Sequence, residues 1–245
     1  MFKAKVKADV LKTVLESVAP LVDEAKIQVT AEGLSLKAVD PAHVAMVDLS
    51  LGKKAFIEYK ATDMDMGVDL DKLKDILKLA GAGEVLDLEY KEDQHRLVFK
   101  IGHVTRRMAL VDTANMGDPK VPNLNLPNQV TVLAKELKNG IRASEAVSDH
   151  IALVAHGKSF ELIADGDTDQ VHLQLSDGDL IKIQAPDKSR SLFSLDYFSN
   201  MSKVVGDASP VTLHLGTDYP VKLEFDIADG AGHIIYLLAP RIESE

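Results

Sequence analysis

The chain of 245 residues contains no cysteine and no tryptophan, and only 5% of its residues are aromatic. The absence of cysteine excludes disulfide bonds, thiolate metal ligands and a cysteine nucleophile, and it fits a reducing compartment. No apolar run approaches the roughly 18 residues that span a bilayer. Residues 1–7 alternate apolar and basic side chains without an apolar signal core, so we expect a cytoplasmic protein.

Basic residues are fewer than acidic ones. The 28 lysines and arginines and the 38 aspartates and glutamates give a net charge of −10. An acidic average argues at first against nucleic-acid binding, yet it does not exclude a local basic surface. An acidic remainder would keep DNA away from the other faces of the molecule. The distribution of the cations therefore decides whether a polyanion can bind.

Motifs for catalysis are missing or incomplete. Gly52-Lys53-Lys54 lacks the upstream glycine of a phosphate-binding loop, no Gly-x-Ser-x-Gly elbow is present, and the histidines lack zinc-ligand spacing. Residues 165–169 resemble the start of a calcium loop, but Gln170 and Ser176 occupy positions that need glycine and glutamate. We predict a turn there. A metal-dependent hydrolase is the alternative from another class, and it would be centred on Asp165, Asp167 and Asp169.

Short segments that alternate apolar and polar residues predict strands along most of the chain. In the first half these are residues 26–30, 34–38, 44–51, 85–90, 96–101 and 105–111; in the second they are 130–133, 151–155, 159–163, 171–175, 181–184, 211–215, 221–225 and 234–238. Helical periodicity appears at residues 9–18, 71–80, 135–146 and 196–205. Asp9 is a candidate N-cap for the first helix and Gly81 a candidate C-cap for the second. Each helix is apolar on one side, so each is expected to lie on a sheet.

Three paired segments occur in the same order in both halves and indicate a tandem duplication. The pairs are Phe2–Val18 with Val130–Ser144, Val68–Asp71 with Phe193–Asp196, and Leu97, Phe99 and Ile101 with Leu223, Phe225 and Ile227. Residues 113–129 hold three of the nine prolines, which is typical of an extended linker. We therefore predict an α+β chain with domains at residues 1–112 and 130–245 and a connector at 113–129.

Basic residues recur on the polar sides of all four predicted helices. They are Lys12, Lys74, Lys78, Lys138, Arg142 and Lys203. Ammonium and guanidinium groups displace condensed counterions from phosphates, so a duplicated cationic face suits a repeating polyanion better than a single catalytic pocket. On one helix alone a solvated polar face is the more ordinary interpretation, and the recurrence favours a binding surface.

The run Gly33–Val47 resembles a signature of the proliferating-cell-nuclear-antigen family of DNA sliding clamps, and the tail Tyr236–Glu243 is similar to that family's C-terminal motif. The resemblance extends from Phe2 to the end of the chain, with a length and tail most like those of archaeal members. It implies a duplicated DNA-clamp fold of the α+β class, with outer antiparallel sheets and inner helices. It further implies that three subunits close a ring around duplex DNA.

The resemblance also assigns candidate site residues. Those that match DNA-facing positions of the family are Lys12, Lys78, Arg142 and Lys203, whereas Lys74 and Lys138 are added here from helical phase. Asp75 and Asn139 replace basic residues of well-known members. A pocket for a partner peptide with a glutamine and two aromatic residues is implied at Val39, His43, Val44, Met46, Val121, Leu124, Tyr219, Pro220, Leu237, Ala239 and Pro240.

Ring closure would pair residues 105–111 of one copy with residues 171–175 of the next. The implied interface residues are Arg106, Arg107, Val171 and Leu173, and the arginines are expected to pair with Glu136 or Glu145 of the neighbour. The implied partners are double-stranded DNA, bound without sequence preference, a clamp loader, and DNA polymerase, ligase and flap nuclease. No cofactor and no catalytic centre are implied. The expected function is a processivity factor for DNA replication and repair, nucleoid-associated if the chain is archaeal; a subunit of a heteromeric ring is an alternative.

Overall fold

The computed structural model describes residues 1–242, and the last three residues, including Glu243 of the tail motif, lie outside the described residues. The chain divides into two compact units. Unit 1 comprises residues 1–121 and 226–234, and unit 2 comprises residues 122–225 and the chain from residue 235 onward. None of the described helices is both long and apolar enough to cross a membrane.

Unit 1 combines antiparallel sheets with two short helices. Its strands are β1 Phe2–Lys7, β2 Glu24–Thr30, β3 Gly33–Val39, β4 Ala45–Gly52, β5 Glu58–Ala61, β6 Met64–Asp69, β7 Val85–Lys91, β8 Arg96–Ile101 and β9 Val104–Ala109, and its helices are α1 Ala8–Val18 and α2 Leu70–Leu77. One sheet has the order β5-β1-β7-β8-β9, and the other strands follow the order β4-β3-β2-β6. Val6, Leu86 and Phe99 are fully buried on the core side of the five-stranded sheet.

Unit 2 is built in the same way. The remaining elements are β10 Asn128–Leu133, α3 Ala134–Ser144, β11 His150–Gly157, β12 Ser159–Asp165, β13 Gln170–Ser176, β14 Lys182–Ser194, α4 Leu195–Lys203, β15 Pro210–Leu215, β16 Val221–Ile227 and β17 Gly232–Leu238. Their order across the sheet is β13-β12-β11-β14-β10-β15-β16-β17. Phe160, Phe193 and Phe198 fill the core of this unit, with no exposed surface.

The element order of unit 1 recurs in unit 2, which confirms the predicted duplication. The series β1-α1-β2-β3-β4 corresponds to β10-α3-β11-β12-β13, and α2-β7-β8-β9 corresponds to α4-β15-β16-β17. Unit 1 uses two strands, β5 and β6, where unit 2 uses the single strand β14. Residues 182–184 of β14 pair with β10 and residues 185–194 pair with β11, with a shift in register between Ala155 and Gly157. This bulge lets one strand serve two ladders.

The helices and most strands lie where the sequence predicts them, with corrections at their ends. α2 ends at Leu77 rather than at residue 80, and Gly81 is not its cap, because the amides of Leu79 and Ala80 bond only three residues back. Asp9 is not an N-cap either. Lys7 occupies that place, and the Asp9 carboxylate accepts a bond from the Gly83 amide at 2.8 Å.

Strand ends and strands that were not predicted account for the other differences. β9 ends at Ala109 rather than at residue 111, because the Val111 amide leaves the ladder and donates to the Gly67 carbonyl at 2.8 Å. β5, β6 and residues 185–194 of β14 were not predicted as strands. Residues 186–190 are polar apart from Pro186, so they lack the apolar alternation that marks a strand.

Residues 112–127 contain neither helix nor strand. Within unit 1, the start of this connector is fixed to β2 by an ion pair, with Lys26 Nζ 2.9 Å from Asp118 Oδ2. The Lys26 side chain is only 11% exposed, and the Gln28 amide also donates to Asp118, at 3.3 Å. A partly buried cation needs its counter-charge, so this pair holds the connector at Asp118.

Candidate nucleic-acid interface

A lysine joins the two helices of each unit. In unit 1, Lys12 Nζ on α1 donates to the carbonyl of Ala80 at 2.7 Å, just beyond the end of α2. In unit 2, Lys138 holds the same place on α3, and its Nζ donates to the carbonyl of Val205 and to Asp207 Oδ1 at 2.9 Å. Each ammonium group therefore satisfies a carbonyl oxygen that the end of a helix leaves without a partner.

These two lysines are partly shielded from solvent. The Lys138 side chain is 18% exposed, and Lys12 is half-buried. The hydrogen bond and charge of Lys138 hold the pKa of the Asp207 carboxyl below its usual range. Among the six predicted DNA-binding residues, Lys12 and Lys138 are thus the two whose ammonium groups donate hydrogen bonds to backbone carbonyls of the next helix end.

The other four predicted DNA-binding residues are exposed; they are Lys74, Lys78, Arg142 and Lys203. Lys78 and Lys203 occupy equivalent positions, each eight residues after the leucine that begins α2 or α4. Lys78 Nζ lies 2.8 Å from Asp75 Oδ1, and Lys203 Nζ donates to Asn200 Oδ1 at 2.9 Å. Both bonds are exposed and link residues three apart on one helix, so a phosphate can replace them at little cost.

The second helices of the two pairs differ in charge at one equivalent position, where α2 has Asp75 and α4 has Asn200. The pKa of Asp75 is held below the usual range, first by the hydrogen bond and charge of Lys78 and then by the charges of Arg106 and Lys74. An ionised Asp75 offsets part of the positive charge of Lys78, whereas Lys203 contacts the neutral side chain of Asn200.

Five residues of the predicted peptide pocket lie in unit 1; they are Val39, His43, Val44, Met46 and Val121. Val39 pairs with Met46 across the β3–β4 ladder. The buried Asp40 carboxylate closes the loop between them by accepting bonds from the amides of Val44 and Ala45, both at 2.7 Å. Asp40 was not predicted to have this role, although an aspartate before a proline is a known turn signal.

The remaining pocket residues lie in unit 2; they are Leu124, Tyr219, Pro220, Leu237, Ala239 and Pro240. Tyr219 is 53% exposed, whereas Leu237 is 6% exposed. Buried Ser191 fixes the loop that carries Tyr219, because its hydroxyl donates to the Gly216 carbonyl at 2.7 Å and accepts from the Asp218 amide at 2.8 Å. Sequence reasoning missed Ser191, since a serine in a polar stretch carries no signal of its own.

The predicted interface residues lie on edge strands of the two units. Arg106 and Arg107 are exposed on β9, which ends the five-stranded sheet, and Val171 and Leu173 are half-buried on β13, which ends the sheet of unit 2. Edge strands present backbone groups that can pair with another chain. Of the two acids expected to meet the arginines, Glu145 accepts a bond from Ser199 of its own unit at 2.8 Å.

The acidic segment that resembled a calcium loop forms a turn, as predicted. The Gly166 amide donates to the Asp169 carbonyl at 2.9 Å, and the Asp165 carboxylate accepts from the Gln170 side chain at 2.6 Å. Within residues 1–242, no three histidine, aspartate or glutamate side chains are grouped so that they could hold a metal ion.

Comparisons with known proteins match the chain from end to end. Residues 1–116 match the family model "Proliferating cell nuclear antigen, N-terminal domain", and residues 120–241 match the corresponding C-terminal domain model. Proteins named DNA polymerase sliding clamp from Methanocella arvoryzae and Halobacterium salinarum are 46% and 45% identical, with all of this chain and all of each relative covered.

Solved structures agree with these matches. The C-terminal region of FEN-1 bound to A. fulgidus PCNA contains a chain that is 36% identical, with a TM-score of 0.95 and full coverage of both chains. PCNA from Thermococcus kodakaraensis is 28% identical, with a TM-score of 0.90 over 98% of this chain and 100% of that one.

Proposed function

The chain belongs to the proliferating cell nuclear antigen family, and from this premise we propose that it is a DNA sliding clamp with no catalytic centre of its own. Three copies close into a ring around duplex DNA and act as a processivity factor in replication and repair. The observation that carries the proposal is the repetition of exposed Lys78 and Lys203 at equivalent places, each on a helix pair braced by an equivalent lysine. A repeated cationic helix pair suits a ligand of repeating charge.

DNA is held through phosphates rather than bases. The exposed cations Lys74, Lys78, Arg142 and Lys203 release counterions from the backbone, and such contacts carry no sequence information. Lys12 and Lys138 brace the second helix of each pair and thereby set the places of Lys78 and Lys203. Individual contacts can be weak because the ring stays on DNA by enclosing it, and weak contacts permit sliding.

Partner proteins bind through short peptides to the pocket residues that the family resemblance implies. The FEN-1 region bound to A. fulgidus PCNA supports a flap nuclease as one such partner, and polymerase, ligase and a clamp loader are proposed from the family. Tethering on DNA raises the effective concentration of each enzyme.

The peptide proposal is tested at its most exposed aromatic residue. Tyr219→Ala should weaken binding of a clamp-binding peptide by about tenfold, because exposed tyrosines are frequent energetic anchors. Ile57→Ala is the matched control, since Ile57 is 54% exposed and lies outside the pocket set. Unchanged peptide affinity in Tyr219→Ala, measured by fluorescence anisotropy, would count against this pocket.

Topological linkage is tested by loading the clamp onto a circular plasmid and onto the same plasmid cut once. We expect the protein to persist on the circle and to leave the linear molecule through its ends. Bulky proteins bound at both ends of the linear plasmid should restore retention. Equal loss from circle and open linear DNA, measured by gel filtration of the complexes, would refute enclosure.

A further inference from the structure

The five-stranded sheet of unit 1 presents a densely basic side to solvent. On β1, the buried residues Phe2, Ala4 and Val6 alternate with lysines that point away from the core. The strand registers place the outward charged residues of β5, β1, β7 and β8 side by side on one face. The cations are Lys3, Lys5, Lys7, Lys60, Lys91, Arg96 and Lys100, and the acids are Glu58, Asp87 and Glu89. We call these ten residues the basic sheet face. It stands on a chain whose net charge is −10.

The acids of this face already have lysine partners. Lys5 Nζ lies 2.8 Å from Glu58 Oε1 and 3.8 Å from Asp87 Oδ1, and Lys91 Nζ lies 2.7 Å from Glu89 Oε1. The other cations of the face have no carboxylate within 4.0 Å in the part of the chain that the structure describes; they are Lys3, Lys7, Lys60, Arg96 and Lys100. A positive excess therefore remains that local ion pairs do not cancel.

Unit 2 builds the equivalent sheet with fewer cations, although Lys182 stands where β5 has Glu58 and Lys222 stands where β8 has Val98. The ladder around β10 places Gln129 where β1 has Lys3, and Gln184 where β5 has Lys60. Further along the same rows, Thr131 replaces Lys5, Leu133 replaces Lys7 and Glu224 replaces Lys100. Since the same architecture forms with glutamine, threonine and leucine at these places, the fold does not require the unpaired lysines of unit 1.

The face lies on the side of the sheet opposite to the helix cations. α1 packs against β1, and its side chains Ala8, Leu11 and Leu15 are buried, whereas the basic sheet face is open to solvent. A ligand held by the helices of unit 1 cannot reach these lysines through the sheet. Any polyanion that binds them forms a separate contact.

The chemistry of the face favours the backbone of a duplex. Six of the seven cations are lysines, which bind phosphate as point charges but are depleted at the centres of protein–protein interfaces. No aromatic residue belongs to the face, because Phe2 and Tyr59 occupy strand positions whose side chains point to the other side of the sheet. A platform for stacking the bases of a single strand is therefore missing. Cations spaced about 6.8 Å along strands and about 4.8 Å between them form a grid on which phosphates can sit in many registers.

We propose that the basic sheet face binds the phosphate backbone of duplex DNA from outside, as a second and sequence-independent contact. Where the chain encloses one duplex segment, as proposed above, this face can hold another segment or the same molecule beyond the ring. The inference rests on the sheet of unit 1 and does not use the helix cations.

The test uses a covalently closed duplex minicircle and no clamp loader. A closed ring cannot thread onto a closed circle, so binding reports on outside surfaces. Lys3→Gln, Lys60→Gln and Lys100→Gln are combined in one variant, and the first two substitutions copy residues that unit 2 already carries. We expect this variant to bind the minicircle about tenfold more weakly than the wild type. A plot of the logarithm of the binding constant against the logarithm of the salt concentration should become shallower by about 0.9 for each phosphate that the variant no longer neutralises.

Two matched variants separate the face from net charge and from the helices. Lys158→Gln, Lys182→Gln and Lys188→Gln together remove the same charge from exposed positions of unit 2 and should leave minicircle binding nearly unchanged. Lys78→Gln with Lys203→Gln should also leave it unchanged. Thermal unfolding of each variant checks that the fold is intact.

Several outcomes would overturn the proposal. They are wild-type affinity in the face variant, an equal loss in the unit 2 variant, or a larger loss in the helix variant. Binding of polyglutamate but not of the minicircle would assign the face to an acidic protein segment instead. Failure here is distinguishable from failure of the clamp proposal, because retention on circular against linear plasmid after loading should be unaffected in the face variant.

Discussion

At the scale of single residues, the helix lysines differ in what their ammonium groups already contact. Lys12 and Lys138 donate to backbone carbonyls beyond the next helix, whereas Lys78 and Lys203 contact only exposed side chains on their own helix. Helical phase alone places all four on polar faces. It cannot distinguish them, because the acceptors of Lys12 and Lys138 lie 68 and 67 residues away in the chain.

The bracing role predicts a stability effect. Lys12→Met keeps the apolar stem but removes the ammonium, so the free energy of unfolding should fall by about 1 kcal/mol. Lys138→Met should show a similar loss. Lys74→Met is the control and should stay within about 0.5 kcal/mol, since Lys74 is an exposed helix residue. Urea denaturation measures all three, and equal effects at Lys12 and Lys74 would contradict the brace.

Tyr59 predicts a dependence of stability on alkaline pH. Its hydroxyl lies 2.7 Å from the Thr30 carbonyl and 2.9 Å from the Gly33 carbonyl, and burial raises its pKa to about 12 from an ordinary value of 10.0. Because the pKa is higher in the folded chain, the stabilisation is complete below pH 10 and is lost as the pH rises towards 12.

Tyr59→Phe isolates this contribution from other groups that titrate in the same range. The substitution should lower the free energy of unfolding at neutral pH by about 1 kcal/mol and should flatten its decline between about pH 10 and 12. Tyr219→Phe is the control, because Tyr219 is 53% exposed. Identical pH profiles for wild type and Tyr59→Phe would show that the phenol does not contribute.

At the scale of elements, alternation located strands well where one face is buried. β8 was predicted with the bounds that it has, Arg96–Ile101, since Leu97, Phe99 and Ile101 supply the buried side. Residues 185–194 of β14 gave no such signal. Two of their inward residues are buried serines, Ser189 and Ser191, so polarity hides a strand whose place is set by pairing with β11.

Gly67 on β6 allows the backbone of Val111 to approach closely, and this contact can be tested by its effect on stability. A Cβ at this position would overlap the carbonyl of Val111, whose amide donates to the Gly67 carbonyl at 2.8 Å. Gly67→Ala should therefore lower the free energy of unfolding by about 2 kcal/mol. Gly178→Ala is the control, because nothing lies within 4 Å of an added Cβ there. A Gly67→Ala protein as stable as the control would refute this close approach.

At the scale of the whole molecule, the proposed ring depends on edge strands at β9 and β13. Arg107→Glu places an acid on the β9 edge and should reduce the solution mass from three copies to one, measured by light scattering. Arg96→Glu, on the interior strand β8 of the same sheet, should leave the mass unchanged. A trimer that survives Arg107→Glu would count against this edge, and a wild-type chain that stays monomeric would favour the heteromeric alternative.

The two copies also differ in how much variation in length they can accept. In unit 2, β14 passes from the ladder of β10 to that of β11 through a bulge at residues 186–188, whereas residues 62–63 separate β5 from β6 in unit 1. One inserted residue turns every later side chain of a strand to the opposite face. Between Ser189 and Arg190 an insertion would turn the core residue Phe193 outward, whereas residues 62–63 lie outside the strands and can absorb one. Evolutionary drift in chain length should therefore accumulate at residues 62–63 of the first copy and be purged from residues 189–194 of the second.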